Sequence, residues 1–216
     1  MNESDRQELA RYGVATVYEA AGRSGLIDIP LVQLIPGSRV VGPARTVCCG
    51  QGDNLMVHAV IEQVQPGEIL VLTMPEPEPV ALIGELLATQ AQVRQVAGIL
   101  VDASVRDTEE LQALGLPIWT RWIRVRGATK THLGTINETV TVGGTSIAPG
   151  DLVLLDADGA LALAAERIPA ILEASRVRVR SETTLRAQLR AGALSYDLSG
   201  LRAVVEGTTL SQQLTD

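Results

Sequence analysis

Val96-Ala97-Gly98-Ile99-Leu100-Val101-Asp102-Ala103-Ser104-Val105-Arg106-Asp107 decides how the rest of the chain is read. The apolar run Ile99-Leu100-Val101 reads as a buried strand that ends in an aspartate. A short turn of small residues should follow. Arg106 and Asp107 then stand side by side, and Thr108-Glu109-Glu110 opens what reads as a helix. Open α/β sheets bind ligands beyond the carboxyl ends of their strands. The stretch therefore predicts an α/β domain whose site lies where Arg106 and Asp107 fall.

Composition agrees with that class. The chain has 216 residues, of which 46% are apolar and only 2% aromatic, with no Phe. One domain with a full core is expected at this length. A core of branched aliphatics suits a sheet buried on both faces. The net charge is −7, from 18 basic and 25 acidic residues. That balance argues against nucleic acid as a general partner, and the shortage of aromatics removes the usual platforms for stacking bases.

Cys48 and Cys49 are adjacent and sit in a strand-like run, so buried free thiols are expected rather than a bridge. No disulfide framework, no signal-peptide pattern and no apolar run near the roughly 18 residues of a membrane span are legible. The expectation is a soluble cytoplasmic protein.

Upstream of the central stretch, Ser4-Asp5-Arg6-Gln7 has the form of a capping box. It predicts a first helix up to about Tyr12, stopped by Gly13. Thr16-Val17-Tyr18-Glu19 repeats the device and predicts a second helix ending near Gly22. Residues 38–49 read as strands interrupted by Gly42-Pro43. Asp53 is a good N-cap for a helix over 54–64, where Met56, Val57, Val60, Ile61 and Val64 recur at helical spacing. Residues 68–73 read as a strand. Pro75, Pro77 and Pro79 form an extended connector, after which a helix should run from about Ala81 towards Val96.

Downstream, a short helix over 108–114 should be stopped by Gly115, with a strand over 118–120. The spacing then predicts a hairpin over 139–147 and strands over 152–155 and 160–163. A long helix should cover about 166–190 and end at Gly192. Residues from about 195 to 216 read as a polar, loosely held tail.

Two groups of residues could carry chemistry. Arg106 offers a planar fork for a carboxylate or an enolate oxygen. Asp107 offers a hard oxygen ligand for an ion such as Mg²⁺, which uses few carboxylates and keeps several waters. The same pair also reads as a plain helix start, with Asp107 as cap and Arg106 solvated. Gly84-Glu85-Leu86-Leu87 is the second group. A glycine at a helix N-terminus lets backbone N–H groups face a carboxylate, although the local pattern alone favours an ordinary helix start. Twenty residues separate Glu85 from Arg106-Asp107. Arg121, Arg124, Arg126 and Lys130 could attract the distal carboxylates of a di- or tri-acid, or form a solvated or salt-bridging loop. His58 and His132 show no metal-ligand spacing, and His58 receives no role. No Gly-rich phosphate loop is present.

An acidic residue, twenty residues and then Arg-Asp resembles the signature of the RraA-like family. Its enzymatic branch comprises the 4-hydroxy-4-methyl-2-oxoglutarate and 4-carboxy-4-hydroxy-2-oxoadipate aldolases. The similarity runs from Tyr12-Gly13-Val14-Ala15-Thr16 through Gly52-Asp53-Asn54, Gly98-Ile99-Leu100-Val101-Asp102 and Pro149-Gly150-Asp151 to Asp158-Gly159.

The resemblance implies a swivelling β/β/α domain and a homotrimer or homohexamer with sites between subunits. It implies a class II, metal-dependent pyruvate aldolase with oxaloacetate decarboxylase activity. By the same resemblance Asp107 holds a divalent cation (Mg²⁺, with Mn²⁺ or Co²⁺ as alternatives) and Arg106 contacts the ketone oxygen. Backbone amides of Gly84, Glu85, Leu86 and Leu87 receive the substrate carboxylate. Glu19 and Glu182 would orient metal-bound or proton-transferring waters, one of them from a neighbouring subunit.

Two positions depart from the family pattern. Glu85 stands where Asp is usual, and Ala103 stands where Gly is common in the strand-end turn. Other members act as non-catalytic regulators that bind a ribonuclease and can lack the metal aspartate. Retention of Arg106-Asp107 favours the enzymatic branch.

Overall fold

The computed structural model describes residues 2–213, with side chains described to residue 207. Contacts divide the chain after Ser175 into two compact units. In order, the first unit contains α1 (Glu3–Ala20), β1 (Val32–Gln33), β2 (Val40–Cys48), α2 (Leu55–Gln63), β3 (Ile69–Thr73), β4 (Ala81–Ile83) and α3 (Glu85–Val93). It continues with β5 (Gly98–Val105), α4 (Thr108–Leu114), β6 (Ile118–Ile123), β7 (Thr135–Ile136), β8 (Val140–Val142), β9 (Thr145–Ile147), β10 (Leu152–Asp156) and β11 (Gly159–Leu163). A turn of 3₁₀ helix leads into α5 (Ile168–Arg190), which runs on into the second unit. α6 (Ser195–Leu198) and α7 (Leu201–Gln213) follow. No helix among the described residues is long and apolar enough to cross a membrane.

The main sheet has the order β1-β6-β5-β3-β2-β10-β11, with β4 paired to β5 and β7 to β2. Its centre, β2, β3, β5 and β6, is parallel, and antiparallel strands flank it. All eight residues of β5 are buried. Side chains alternate along the central strands. Leu70, Leu72, Ile99 and Val101 pack on α2 and α3 through Val57, Val60, Ile61, Leu87 and Ala88. Ile69, Val71 and Leu100 face the other way, onto Trp119 and the β8–β9 hairpin. Both faces are covered, which is why these strands are aliphatic throughout. α1 packs Leu9, Val14 and Val17 on β10 and β11.

Several expectations are corrected, each with a physical cause. The N-cap of α1 is Asn2, whose side chain accepts from Asp5 N, so Ser4 lies inside the helix. Gly13 does break α1, at φ 81° and ψ 166°. The second half restarts on a distant group, because Val14 N donates to buried Asp156 Oδ2 at 2.8 Å. Thr16 is therefore mid-helix and caps nothing.

β2 is continuous through Gly42-Pro43. Its pairing to β3 begins only at Ala44, so the missing Pro43 N–H costs no bond on that side. Gly42 lets the strand pass the Gly67 carbonyl, which a Cβ would approach to 2.4 Å.

Residues 81–83 form a strand rather than a helix, and α3 starts at Glu85. β3 pairs with Gly98 to Val101, and β4 takes over beside Ser104 and Val105. That second partner carries β5 past Asp102, where the sequence suggested a turn. Ala103 lies within the strand, and no left-handed angle is needed there. Of the tail expected over 195–216, residues 195–198 and 201–213 are helical, and 214–216 lie outside the described residues. Cys49 is a buried free thiol and Cys48 a half-buried one, as expected. Burial pushes Cys49 up to about 12, with Cys48 and Asp53 adding to it.

Candidate functional site

β5 ends by delivering Arg106 and Asp107 beside the start of α3. Arg106 N donates to Ile83 O at 3.1 Å, which ties the end of β5 to β4 just before Gly84. Asp107 sits at the N-cap position of α4, yet its conformation is left-handed (φ 59°, ψ 48°) and its side chain caps nothing in that helix. A capping Asp has extended backbone and bonds the second or third N–H of its own helix. Here Oδ2 instead accepts from Glu85 N of α3 at 3.1 Å and lies 3.7 Å from Arg106 Nε. The helix-cap reading of this pair therefore fails on geometry.

Glycine lets the pair close in at two neighbouring points. A Cβ at Gly84 would fall 2.3 Å from Asp107 Oδ2, and one at Gly127 would fall 2.7 Å from Arg106 Nη1, the far end of a side chain that can shift.

A cleft of about 180 Å³ opens at this junction. Asn54 and His58 line it from α2, Ala81, Gly84, Leu86 and Leu87 from β4 and α3, and Arg106 and Asp107 from the end of β5. Ala128 and Lys130 complete the wall. The first N–H groups of a helix have no intrahelical acceptor and favour an anion. Glu85 N is taken by Asp107, which leaves the amides of Leu86 and Leu87 at the opening of α3. Arg106 and Lys130 outnumber the single carboxylate of the lining. Burial, helped by the Lys130 charge, pushes the His58 imidazole below its ordinary value. The lining therefore has a positive balance within an acidic chain.

The predicted residues divide. Gly84, Leu86, Leu87, Arg106 and Asp107 come together. Glu85 contributes its amide, while its side chain turns along α3 to accept from Thr89 Oγ1 at 2.8 Å. The longer side chain at this position thus points away from the pair. Glu19 pairs with Arg23 near the end of α1 and does not line the cleft. Glu182 lies in the second unit, on α5, 2.8 Å from Arg178.

The basic segment also divides. Arg121 is held by buried Asp102 at 3.0 Å and stacks over Trp122. Burial raises the Asp102 carboxyl, and Arg121 opposes that shift. Arg124 Nη1 donates to Ile123 O at 2.7 Å. Only Lys130 of the four lines the cleft. Asn54, Ala128 and His58, the residue given no role from sequence, join it. The available signal was the i, i+4 spacing of Asn54 and His58 on one face of α2.

Among the described residues no group of three or more His, Cys, Asp or Glu side chains converges. An ion of the Mg²⁺ type asks for only one or two carboxylates and a shell of water. Asp107, whose side chain is about two-fifths exposed, is the residue available for such an ion.

These features define a class first. This is a mixed α/β protein whose parallel strands present an Arg-Asp pair at a helix N-terminus, lining a cleft suited to a small anion. Within that class, the profile of the RraA-like family, described as Aldolase/RraA, matches residues 14–162, and the chain belongs to that family.

A Halalkalibacterium halodurans protein named "Putative 4-hydroxy-4-methyl-2-oxoglutarate aldolase" is 32% identical over 168 residues, 78% of each chain. Streptomyces coelicolor RraAS2, described as an unusual member of the RNase ES inhibitor RraA protein family, has a TM-score of 0.75 at 27% identity. That match covers 86% of this chain and 97% of the other. An uncharacterized protein from Pseudomonas syringae pv. tomato reaches a TM-score of 0.79 over 90% and 96% of the two chains. At 21% identity it shows the shared fold alone. The swivelling β/β/α architecture expected from the resemblance is the one found.

Proposed function

We propose that the protein is a divalent-metal-dependent pyruvate aldolase. It would cleave 4-hydroxy-4-methyl-2-oxoglutarate or 4-carboxy-4-hydroxy-2-oxoadipate to pyruvate and a second oxo acid, and decarboxylate oxaloacetate as a side activity. The observation that carries this reading is the turn of the Asp107 carboxylate away from its own helix and onto the start of α3, beside Arg106. The name of the H. halodurans relative supports the reaction class.

The C1 carboxylate is received by the amides at the opening of α3, Leu86 and Leu87. Arg106 lies against the C2 oxygen and stabilises the charge that develops there as C3–C4 breaks. Asp107 would hold the metal ion, Mg²⁺ or in its place Mn²⁺ or Co²⁺, and Lewis-acid activation of the 2-oxo acid is the chemistry that such an ion would supply when bound. Lys130 receives the second carboxylate, with neutral His58 beside it.

The C4 hydroxyl loses its proton to a water held by Glu19 or Glu182, one of them contributed by a neighbouring subunit of a homotrimer or homohexamer. The electron pair of C3–C4 passes to the enolate, which takes a proton at C3 to give pyruvate. Loss of CO₂ from oxaloacetate leaves the same enolate.

Arg106→Ala and Asp107→Ala should each lower kcat for pyruvate release by at least about 10²–10³-fold with Mg²⁺ present, read in a coupled assay. Turnover close to wild type in either variant would remove the basis of this reading. The rival is a regulator that binds a ribonuclease, as the description of RraAS2 suggests for that protein. Capture of a ribonuclease together with no pyruvate from any 4-hydroxy-2-oxo acid would favour it.

A further inference from the structure

One wall of the cleft is a strap, residues 126–132, with no regular structure of its own beyond isolated bridges. Its start is tied to β4, where Ala81 N donates to Arg126 O at 2.7 Å. Thr129 bonds the backbone on either side of Asp53, its N–H to Gly52 O at 3.0 Å and its carbonyl to Asn54 N at 2.9 Å. The remaining ties converge on one carboxylate. Asp53 Oδ2 accepts from Thr129 Oγ1 at 2.7 Å, Thr131 N at 2.6 Å and His132 N at 3.0 Å. Its Oδ1 accepts from Leu55 N of α2 at 2.8 Å.

Asp53 is fully buried, so with the strap in place its charge is met by these hydrogen bonds rather than by water. Between the two anchored threonines sits Lys130, which lines the cleft. On the other side of the same carboxylate, Asn54, the residue just before α2, lines the cleft too.

We propose that Asp53 is a positioning residue that selects substrates with a second carboxylate. This rests on reading the cleft as a site for 2-oxo dicarboxylic acids. Asp53 does not touch the substrate, because its oxygens are buried and already occupied. It fixes the strap on both sides of Lys130 and so holds that ammonium group towards the cleft. A charged acceptor with several N–H donors is among the stronger anchors available to a loop. Without it, the flexible Lys130 stem would sample solvent, and the preference for a distal carboxylate would fall.

The test compares binding of 2-oxoglutarate, a dicarboxylate with no C4 hydroxyl to react, and pyruvate, with Mg²⁺ present. Calorimetric titrations would use wild type, Asp53→Asn, Thr129→Val, Lys130→Ala and the Asp53→Asn/Lys130→Ala double variant. Wild type should prefer 2-oxoglutarate, and Asp53→Asn should lower that preference ratio by about tenfold, as Lys130→Ala does. The double variant should lose no more than Lys130→Ala alone, because Asp53 acts through the lysine. A purely structural role would weaken both ligands together and leave the ratio in place.

If Asp53→Asn does not fold, Thr129→Val carries the test, since it keeps the charge and removes one donor. A ratio lowered by about threefold is then expected. An unchanged ratio in the folded variants, losses that multiply in the double variant, or no preference in wild type would overturn the proposal. Pyruvate release by wild type is measured alongside. Turnover with an Asp53-independent ratio overturns the positioning role and leaves the aldolase. An Asp53-dependent ratio without turnover supports the positioning role and removes the aldolase.

Discussion

Left-handed backbone is strained for most residues other than glycine, though less so for Asp, and Asp107 adopts it at the mouth of the cleft. Such strain persists where the surroundings determine it. Here they are the Asp107 carbonyl, which accepts from Leu111 N at 2.9 Å, and the bond from Glu85 N to its carboxylate. Gly84 is the third partner, because only glycine leaves room for Oδ2. Gly84→Ala should leave circular dichroism and the unfolding midpoint close to wild type while lowering kcat by about 10²-fold, the usual effect of moving a reacting group by an ångström. Unchanged kcat would mean that the Asp107 position is not what the chemistry needs. Arg106 and Asp107 were legible in sequence through their spacing from Glu85 and the family resemblance it carries, because the local pattern alone reads as a helix start. Lys130 was legible only as one of four basic residues, and Asn54 and His58 were not, since these segments are brought together only by the closed fold.

Among elements, α2 and the strap are joined at Asp53, and that junction should be visible in the dependence of stability on pH. Burial alone would raise the Asp53 carboxyl, but hydrogen bonds from Thr131 N, Leu55 N, Thr129 Oγ1 and His132 N hold it well below the usual carboxylate range. A folded value below the unfolded one stabilises the protein fully above the unfolded pKa of about 3.9. That contribution is lost as pH falls further towards the folded value. The stability gap between wild type and Asp53→Asn, from urea midpoints, should be widest near pH 7 and shrink below about pH 4. A gap that widens as pH falls would contradict the hydrogen-bonded, ionised state.

Element types were mostly readable from pattern. The errors fall where a distant group overrides a local signal. Asp156 restarts α1, the Gly67 carbonyl explains Gly42, and β5 turns residues 81–83 into a strand. Single-sequence periodicity contains none of those partners.

At the scale of the whole molecule, the chain joins a family that includes both an aldolase-named relative and RNase-inhibitor-type structures, so function rests on the site rather than on the fold. Glu19 does not line the cleft and Glu182 belongs to the second unit, so the proton-transfer step is the part of the proposal that needs the assembly. If the active site combines Asp107 of one subunit with Glu182 of the next, Asp107→Ala and Glu182→Gln proteins should each be inactive alone. Dissociated, mixed in equal amounts and reassembled, they should recover about a quarter of wild-type activity, because random assembly leaves that share of sites intact. No recovery would place both residues in one subunit's site or remove Glu182 from it.

The most direct measurement is pyruvate release from 4-hydroxy-4-methyl-2-oxoglutarate by the wild-type protein, before and after EDTA and again after Mg²⁺ is restored. Release that EDTA abolishes and Mg²⁺ restores, in wild type but not in Asp107→Ala, is the predicted result. Release that EDTA leaves unchanged, or no release under any of the three conditions, would contradict a metal-dependent aldolase built on Arg106 and Asp107.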